Sequence, residues 1–557
     1  MANLIAGDVA ATLKACGVEH FFMLTGGDQA LWIALRDAGV RSVVARSEAS
    51  AVYMADGFAR ASGRPAVAYG QAGPGAANAA AAMADPFWAQ SPVVALCSTT
   101  ASSAMHFNEY QSIDQLTMFA PVTKWNAAVA HASQAAPLVR KAIQMAVSGT
   151  PGPTHLDVPK DFFAMQSTGF GPALSRPLVA DQPEAFTDAA VAPFVEALVR
   201  AKRPAILAGD GVRAAGAWKA LDTLARTAGV PIFATMGGKA AVLTEHPNFV
   251  GIVGRYSSVT ANALLAEADC VVALGTRLGG LATNGYKIPS PAAKLLQIDR
   301  DPAAFANPYF PQECLRADLR SALPVLEEAM RAEGGSSAVE WLVRCRSAAR
   351  DWHKELAVQT AASQRDGALS PLAALEALRR YARDIVLVAD TGYMAAWTGV
   401  LFPVERPDAF FRATGSLGWA LPGSLGVQLA RKEKVVCVIG DGGIGYHLAD
   451  IETAVRYRLP VVIVVLNNDC LAFEYHEQKY RWNGNVVAEV NDFTRVDYAR
   501  AADALGAKAW RVDTANALTD AVAQALKSER TCVIDVAVDK EALPPVTNFD
   551  AHLKRKL

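Results

Sequence analysis

The stretch "VVCVIGDGGIGYHLADIETAVRYRLPVVIVVLNNDC", Val435–Cys470, decides the fold class. It reads as an apolar strand, a glycine turn, a helix and a second apolar strand that stops on two asparagines. Glycines after a strand let backbone N–H groups turn toward an anion, and the helix start that follows adds a favourable dipole. Asp441 sits inside this "GDGG" turn, where it cannot contact a phosphate directly because two negative groups repel. It makes sense if a hard cation lies between carboxylate and phosphate oxygens, and Mg²⁺ suits a site with few carboxylates and oxygen ligands. Asn468, at the end of the next strand, offers a second oxygen, and the backbone carbonyl of Cys470 a third. A glycine turn with a capping asparagine pair is the plainer alternative. The 24 residues between Gly442 and Asn467, filled by one helix and one strand, make the joint pattern hard to reach by chance.

The same rhythm runs outward through the chain. "RPAVAYG", "SPVVALCS", "RPAILAGDG", "ADCVVALG", "AKLLQID" and "DIVLVAD" are short, β-branched runs that end in small or polar residues. They predict an α/β protein of doubly wound, mostly parallel sheets. Two stretches break the rhythm: Met165–Asp188, rich in Pro, Gly and Ser, and a glycine-serine break near Glu333 followed by a charged helix. Cutting there gives units over residues 1–165, 188–332 and 366–557, each of ordinary domain size. The first and third are candidates for distant structural relatives.

At 557 residues, more than one core is expected. A composition of 52% hydrophobic and 19% charged residues describes a globular chain. A net charge of −1, with no basic cluster before the terminal "HLKRKL", argues against nucleic acid or anionic membrane partners. The apolar runs are too short to span a bilayer, and the N-terminus shows no export signal. Eight scattered cysteines without a CxxC pair suggest reduced thiols and a cytoplasmic protein.

The GDG turn followed at this interval by NN resembles the signature of thiamine-diphosphate enzymes, the superfamily of acetolactate synthase, pyruvate decarboxylase and benzaldehyde lyase. The resemblance covers essentially the whole chain. It implies three domains (pyrimidine-binding, central Rossmann-like and diphosphate-binding), with thiamine diphosphate and Mg²⁺ as cofactors. It also implies a first-domain glutamate that protonates the aminopyrimidine, so that its 4′-imine removes the thiazolium C2 proton. "VVARSEASAVYMADGFARASGRPAV" places Glu48 there, with Ser47 where the family usually has His. By itself Glu48 would read as a solvated carboxylate at a helix start.

Further roles follow from the resemblance alone. "RATGSLGWALPGSLG" supplies Leu417 as the apolar wedge under the bent cofactor, and the Gly415 carbonyl as acceptor for the 4′-amine. "VADTGYMAAW" places Gly392, Tyr393 and Met394 at the diphosphate, beside Asp441, Gly442 and Gly443. "FFMLTGGDQAL" puts Gly26, Gly27 and Asp28 at the substrate, and "HFNEYQSIDQLTMF" puts Gln111 at the reaction centre. Asp28 could instead cap the helix that follows. Glu474 stands six residues after Asn468, as in the decarboxylases. It reads either as a buried acid–base group or as a solvent-facing helix-start carboxylate. Leu471, Phe473 and Tyr475 are expected on an apolar wall, and His106 and His476 at the periphery.

The implied activity is C–C bond cleavage or formation on 2-oxo acids or 2-hydroxy ketones, with an aldehyde or ketone as second substrate, as in an acetolactate-synthase-like lyase or transferase. Alternatives are a 2-oxo acid decarboxylase releasing aldehyde, a C–C hydrolase, a CoA-linked lyase, and a nucleotide-binding regulatory subunit without turnover. Decarboxylases carry a His-His pair where this chain has "EYQ", which counts against the first of these. Turns at Gly209–Gly211 and Gly275–Gly280 permit FAD or another nucleotide in the central unit, and an empty structural domain is equally open. Family active sites lie between subunits, which implies a homodimer or homotetramer.

Overall fold

The computed structural model describes residues 3–167, 178, 186–362 and 369–546. The expected Pro/Gly/Ser-rich linker between Met165 and Asp188 therefore lies mostly outside the described residues.

Three six-stranded parallel sheets follow one another along the chain. The first comprises β1 (His20–Met23), β2 (Arg41–Val44), β3 (Ala66–Gly70), β4 (Val93–Thr99), β5 (Trp125–Ala128) and β6 (Thr154–Pro159), in the order β2-β1-β3-β4-β6-β5. The second contains β7 (Pro204–Ala208), β8 (Ile232–Thr235), β9 (Phe249–Val253), β10 (Cys270–Leu274), β11 (Lys294–Asp299) and β12 (Glu313–Arg316). Its order is β12-β11-β10-β7-β8-β9. The third contains β13 (Ile385–Ala389), β14 (Phe410–Arg412), β15 (Lys434–Gly440), β16 (Val462–Asn467), β17 (Lys508–Val512) and β18 (Cys532–Ala537). Its order is β14-β13-β15-β16-β18-β17. The first and third orders are the same permutation, as expected of structural relatives. The central sheet runs outward in both directions from β7 and β10, the doubly wound arrangement of dinucleotide folds.

The strands read from the sequence are strands here because they are covered on both faces. Val435–Ile439 and Val462–Val465 are fully buried, which requires apolar residues at every position rather than alternate ones. Short strands with less apolar pattern, such as "HFFM" and "FFR", were not legible as strands and are specified by their parallel neighbours. The glycine-serine break near Glu333 leads into the helix Val339–Ala362, as expected.

One helix pair ties the first sheet's domain to the third within a chain. Helix Glu48–Ser62 crosses helix Ala420–Ala430 so closely that a Cβ on Gly57 would overlap the Gly423 carbonyl, and one on Gly426 the Met54 carbonyl. Glycine is required there for backbone approach. In the central domain Gly209 and Gly211 are likewise pressed against Gly275, so their lack of a side chain is used in joining two strand-end turns. All eight cysteines are free thiols, and all but Cys314 are buried. Among the described residues no helix is long and apolar enough to cross a membrane.

Candidate active site

In the third sheet, β14 lies on one side of β13 and β15 on the other, so the connections from β13 and β15 diverge. This switch point leaves a crevice at the strand C-termini, the place where α/β sheets bind ligands. A cavity of about 350 Å³ opens there. It is lined by the residues after β13 (Asp390, Gly392, Tyr393, Met394), after β15 (Asp441, Gly442, Gly443) and after β16 (Asn468, Cys470, Leu471, Phe473, Glu474), with Leu417 between them. Tyr256 of the central domain also reaches it, and its ring meets Phe473 edge-on at 5.7 Å. No sequence signal pointed to Tyr256.

Asp441 opens the helix Asp441–His447 and is 5% exposed. Its Oδ1 accepts from the Gly442 N–H (2.9 Å) and its Oδ2 from the N–H groups of Cys470 (3.1 Å) and Asn468 (3.3 Å). Burial pushes its carboxyl up to about 6. These bonds bring the turns after β15 and β16 together, so Asp441, Asn468 and Cys470 converge as the sequence pattern required. The two asparagines divide their work. Asn467 donates to the Val496 carbonyl and to Asp535, each at 3.0 Å, and is structural, while Asn468 borders the cavity. Asp469, directly after the pair, has φ 55°, the left-handed conformation that turns the chain sharply.

Asp390, fully buried at the end of β13, accepts from Gly418 N–H (2.8 Å) and Ala420 N–H (3.3 Å), and burial raises its carboxyl to about 7. Among the described residues, the cavity wall thus carries the carboxylates Asp390, Asp441, Glu474 and Asp539 and no Lys, Arg or His. That donor set repels a bare diphosphate and suits one that arrives with a dication, so the residues fit the pair of groups implied by the sequence.

A second cluster forms at the ends of β1 and β3. Glu48 begins its helix after Ser47, whose hydroxyl caps the Ser50 N–H. The Glu48 carboxylate is 7% exposed; it accepts from Asn78 Nδ2 at 3.1 Å and lies over Gly75, where a Cβ would crowd it. It is therefore no solvated surface group. Gln71 joins the remaining residues, resting against Gly26 and donating to Gln111 Oε1 at 3.5 Å, while the Gln111 backbone packs on Gly73. Glu48, Gly26 and Gln111 are thus gathered in one place. None of them lines the cavity at Asp441, nor does Gly27 or Gly415.

Several expectations change. Asp28 occupies the cap position, yet its side chain makes no cap bond; it is buried and bonded to the Tyr69 hydroxyl, and burial raises its carboxyl. Tyr475 turns away from the cavity to Glu541 and Lys479, whereas Leu471 and Phe473 do line it. His476 is not peripheral: it is fully buried and bonded to the Tyr393 hydroxyl at 2.7 Å. Helical spacing explains the exchange, since only one side of Ala472–Arg481 meets the cavity. Glu474 lines the cavity and is exposed in the single chain, so the deep burial considered for it is not observed.

A carboxylate-lined strand-end cleft, together with a buried acid at the start of a helix beside a sister sheet, suits a cofactor-dependent α/β enzyme. Sequence models of the thiamine pyrophosphate enzyme family match in three places: the N-terminal TPP binding domain over residues 5–118, the central domain over 191–326, and the C-terminal TPP binding domain over 390–536. The chain belongs to this family and is a thiamine-pyrophosphate-dependent enzyme. It is 28% identical to a probable acetolactate synthase large subunit of Methanocaldococcus jannaschii, over 97% of this chain and 92% of that one. It is 28% identical to the acetolactate synthase isozyme 3 large subunit of Escherichia coli (95% and 94% covered). To the sulfoacetaldehyde acetyltransferase of Alcaligenes xylosoxydans xylosoxydans it is 29% identical, over 96% of this chain and 93% of that one.

Proposed function

We propose that the chain is a Mg²⁺- and thiamine-diphosphate-dependent carboligase or lyase of the acetolactate-synthase type. It would act on 2-oxo acids or 2-hydroxy ketones and pass the retained carbon unit to an aldehyde, ketone or second 2-oxo acid. The observation that carries this reading is the cavity wall, which among the described residues has four carboxylates and no basic side chain, set against glycine turns at a sheet switch point. In that wall Asp441, Asn468 Oδ1 and the Cys470 carbonyl would hold Mg²⁺, and the backbone of Gly392, Tyr393 and Met394 would receive the diphosphate. Leu417 would support the coenzyme from below, with the Gly415 carbonyl accepting from its amine. When bound, the coenzyme supplies the electron sink that makes the C–C bond labile. Glu48 would hold the proton at the pyrimidine end, oriented by Asn78 and shielded from water by Gly75 and its neighbours.

Because Glu48, Gln111 and Gly26 do not line the Asp441 cavity, we propose that each active site joins the first domain of one copy to the third domain of another. Exposed apolar side chains flank both halves: Phe107, Tyr110 and Ile113 beside Gln111, and Tyr446 and Phe493 beside the turns at Gly418 and Gly442. Such patches are a feature of association surfaces, which supports the proposal that the chain assembles as a homodimer or homotetramer. The domain boundaries we propose are 1–165, 188–332 and 366–557, with one sheet in each. A place for FAD or another nucleotide against the central domain is supported by a cavity of about 610 Å³ at its boundary with the first domain, to which the central domain contributes Arg213, Arg300 and Arg320. The glycines at 209–211 and 275 lend it no support, since packing accounts for them.

Glu474 favours a second reading, decarboxylation to a free aldehyde, because its carboxylate lines the cavity. One experiment separates the two: a panel of 2-oxo acids and acyloins with thiamine diphosphate and Mg²⁺, with and without FAD. Carbon dioxide, acetaldehyde, acetoin and acetolactate are assayed together, and the absorbance of the purified protein is recorded for bound flavin. Ligated product is expected. Aldehyde as the sole organic product from a 2-oxo acid would select the second reading, and no turnover of any 2-oxo acid or acyloin would reject both.

A further inference from the structure

The turn that carries Leu417 lies between β14 and the helix Ala420–Ala430, and its backbone is held from two sides. Beyond Leu417, Asp390 of the same domain accepts from the N–H groups of Gly418 and Ala420. Before Leu417, three consecutive N–H groups are taken by one side chain from the first domain, Asp85, in the short helix Ala84–Ala89. Asp85 Oδ1 accepts from Thr414 N–H at 2.8 Å and from the Thr414 hydroxyl at 2.6 Å. Its Oδ2 accepts from Ser416 N–H at 2.8 Å and Gly415 N–H at 3.3 Å. The Asp85 carbonyl also accepts from the Thr414 hydroxyl at 3.0 Å. Asp85 is 1% exposed and does not line the cofactor cavity.

We propose that Asp85 is a positioning residue, fixing across the domain boundary of a single chain how far Leu417 stands into the cofactor cavity. This rests on the thiamine-diphosphate reading of that cavity. A carboxylate accepts on both oxygens, and here four donors converge on the pair. An amide has one acceptor oxygen, so in Asp85→Asn the NH₂ group would face N–H donors and leave buried groups unsatisfied. The first domain thereby serves two sites: it offers Glu48 to one and sets the apolar support of the other through Asp85. A wedge displaced by about an ångström is enough to lower turnover roughly a hundredfold.

The test uses the full-length chain as Asp85→Asn, Asp85→Ala and, as a graded variant that keeps the carboxylate, Thr414→Val. Hydrogen–deuterium exchange is followed without added cofactor, and kcat and half-saturation by thiamine diphosphate are measured with Mg²⁺ present. In both Asp85 variants, exchange in peptides covering 410–420 should rise about tenfold while the helix Glu48–Ser62 stays as protected as before. Turnover should fall about 10- to 100-fold, with cofactor half-saturation changed less than about threefold, because the diphosphate contacts lie elsewhere. Thr414→Val should give a smaller change of the same kind. Unchanged exchange at 410–420, intact kcat despite raised exchange, or loss of protection throughout the first domain would each overturn the proposal. A wild-type chain that takes no thiamine diphosphate would instead overturn the reading of the cavity. The exchange arm tells that failure apart from a failure of the Asp85 contact.

Discussion

Glu48→Gln should lower hydrogen–deuterium exchange at the coenzyme C2 by two orders of magnitude or more, while coenzyme binding is weakened but still measurable. The glutamine amide keeps the length of the side chain and can still accept from Asn78 Nδ2, which lies 3.1 Å from the carboxylate. Packing against Gly75 is also preserved, so the fold should stand. What is lost is the titratable oxygen, and positioned acid–base groups contribute about 10²- to 10⁴-fold to proton transfer. Exchange is read by NMR after acid quench, and affinity by titration of the same preparation. Exchange at the wild-type rate would remove Glu48 from the proton relay whatever the effect on turnover.

Asp441→Ala should abolish stabilisation by the coenzyme. In the wild-type chain, thiamine diphosphate with Mg²⁺ should raise the melting temperature by several degrees, because a ligand at a hundred times its Kd stabilises by about 2.7 kcal/mol. The substitution removes the one carboxylate that faces both glycine turn and Asn468, so metal and diphosphate lose their common anchor. It also frees three N–H groups, on Gly442, Asn468 and Cys470, and the resulting loss of intrinsic stability is about 1–3 kcal/mol. The two effects separate cleanly, since the first appears only on adding ligand and the second without it. A ligand-dependent shift as large as that of the wild type would rule out the metal site at Asp441.

How much of this was legible in the sequence depended on chain distance. Asp441, Asn468 and Cys470 fall within one strand–helix–strand unit, and the turn geometry of that unit is local. Parallel strands buried on both faces also announce themselves, which is why the sheets of the α/β fold could be read from runs such as "VVCVIG". Glu48 was placed by likeness to a family segment; its partners Asn78 and Gly75 lie in a helix some thirty residues on, within an alanine-rich run that carries no pattern. Asp85 was invisible for the same reason, since the N–H groups it holds are more than three hundred residues away. Asp28 shows the converse error. Local sequence offers it as a cap, but Tyr69 on a neighbouring strand gives its buried carboxyl a closer partner. His476 was misplaced because helix phase, set by packing against Tyr393, is not fixed by the charged sequence around it.

Co-expression of Glu48→Gln and Asp441→Ala chains bears most directly on the claim that each active site is shared between two copies. Random pairing makes about half the dimers hybrid, and each hybrid holds one site with both residues intact, so about a quarter of wild-type activity should return. Each variant purified alone should be nearly inactive. Activity in the co-expressed sample no higher than in the single variants would mean that Glu48 and Asp441 serve a site within one chain, contradicting the account.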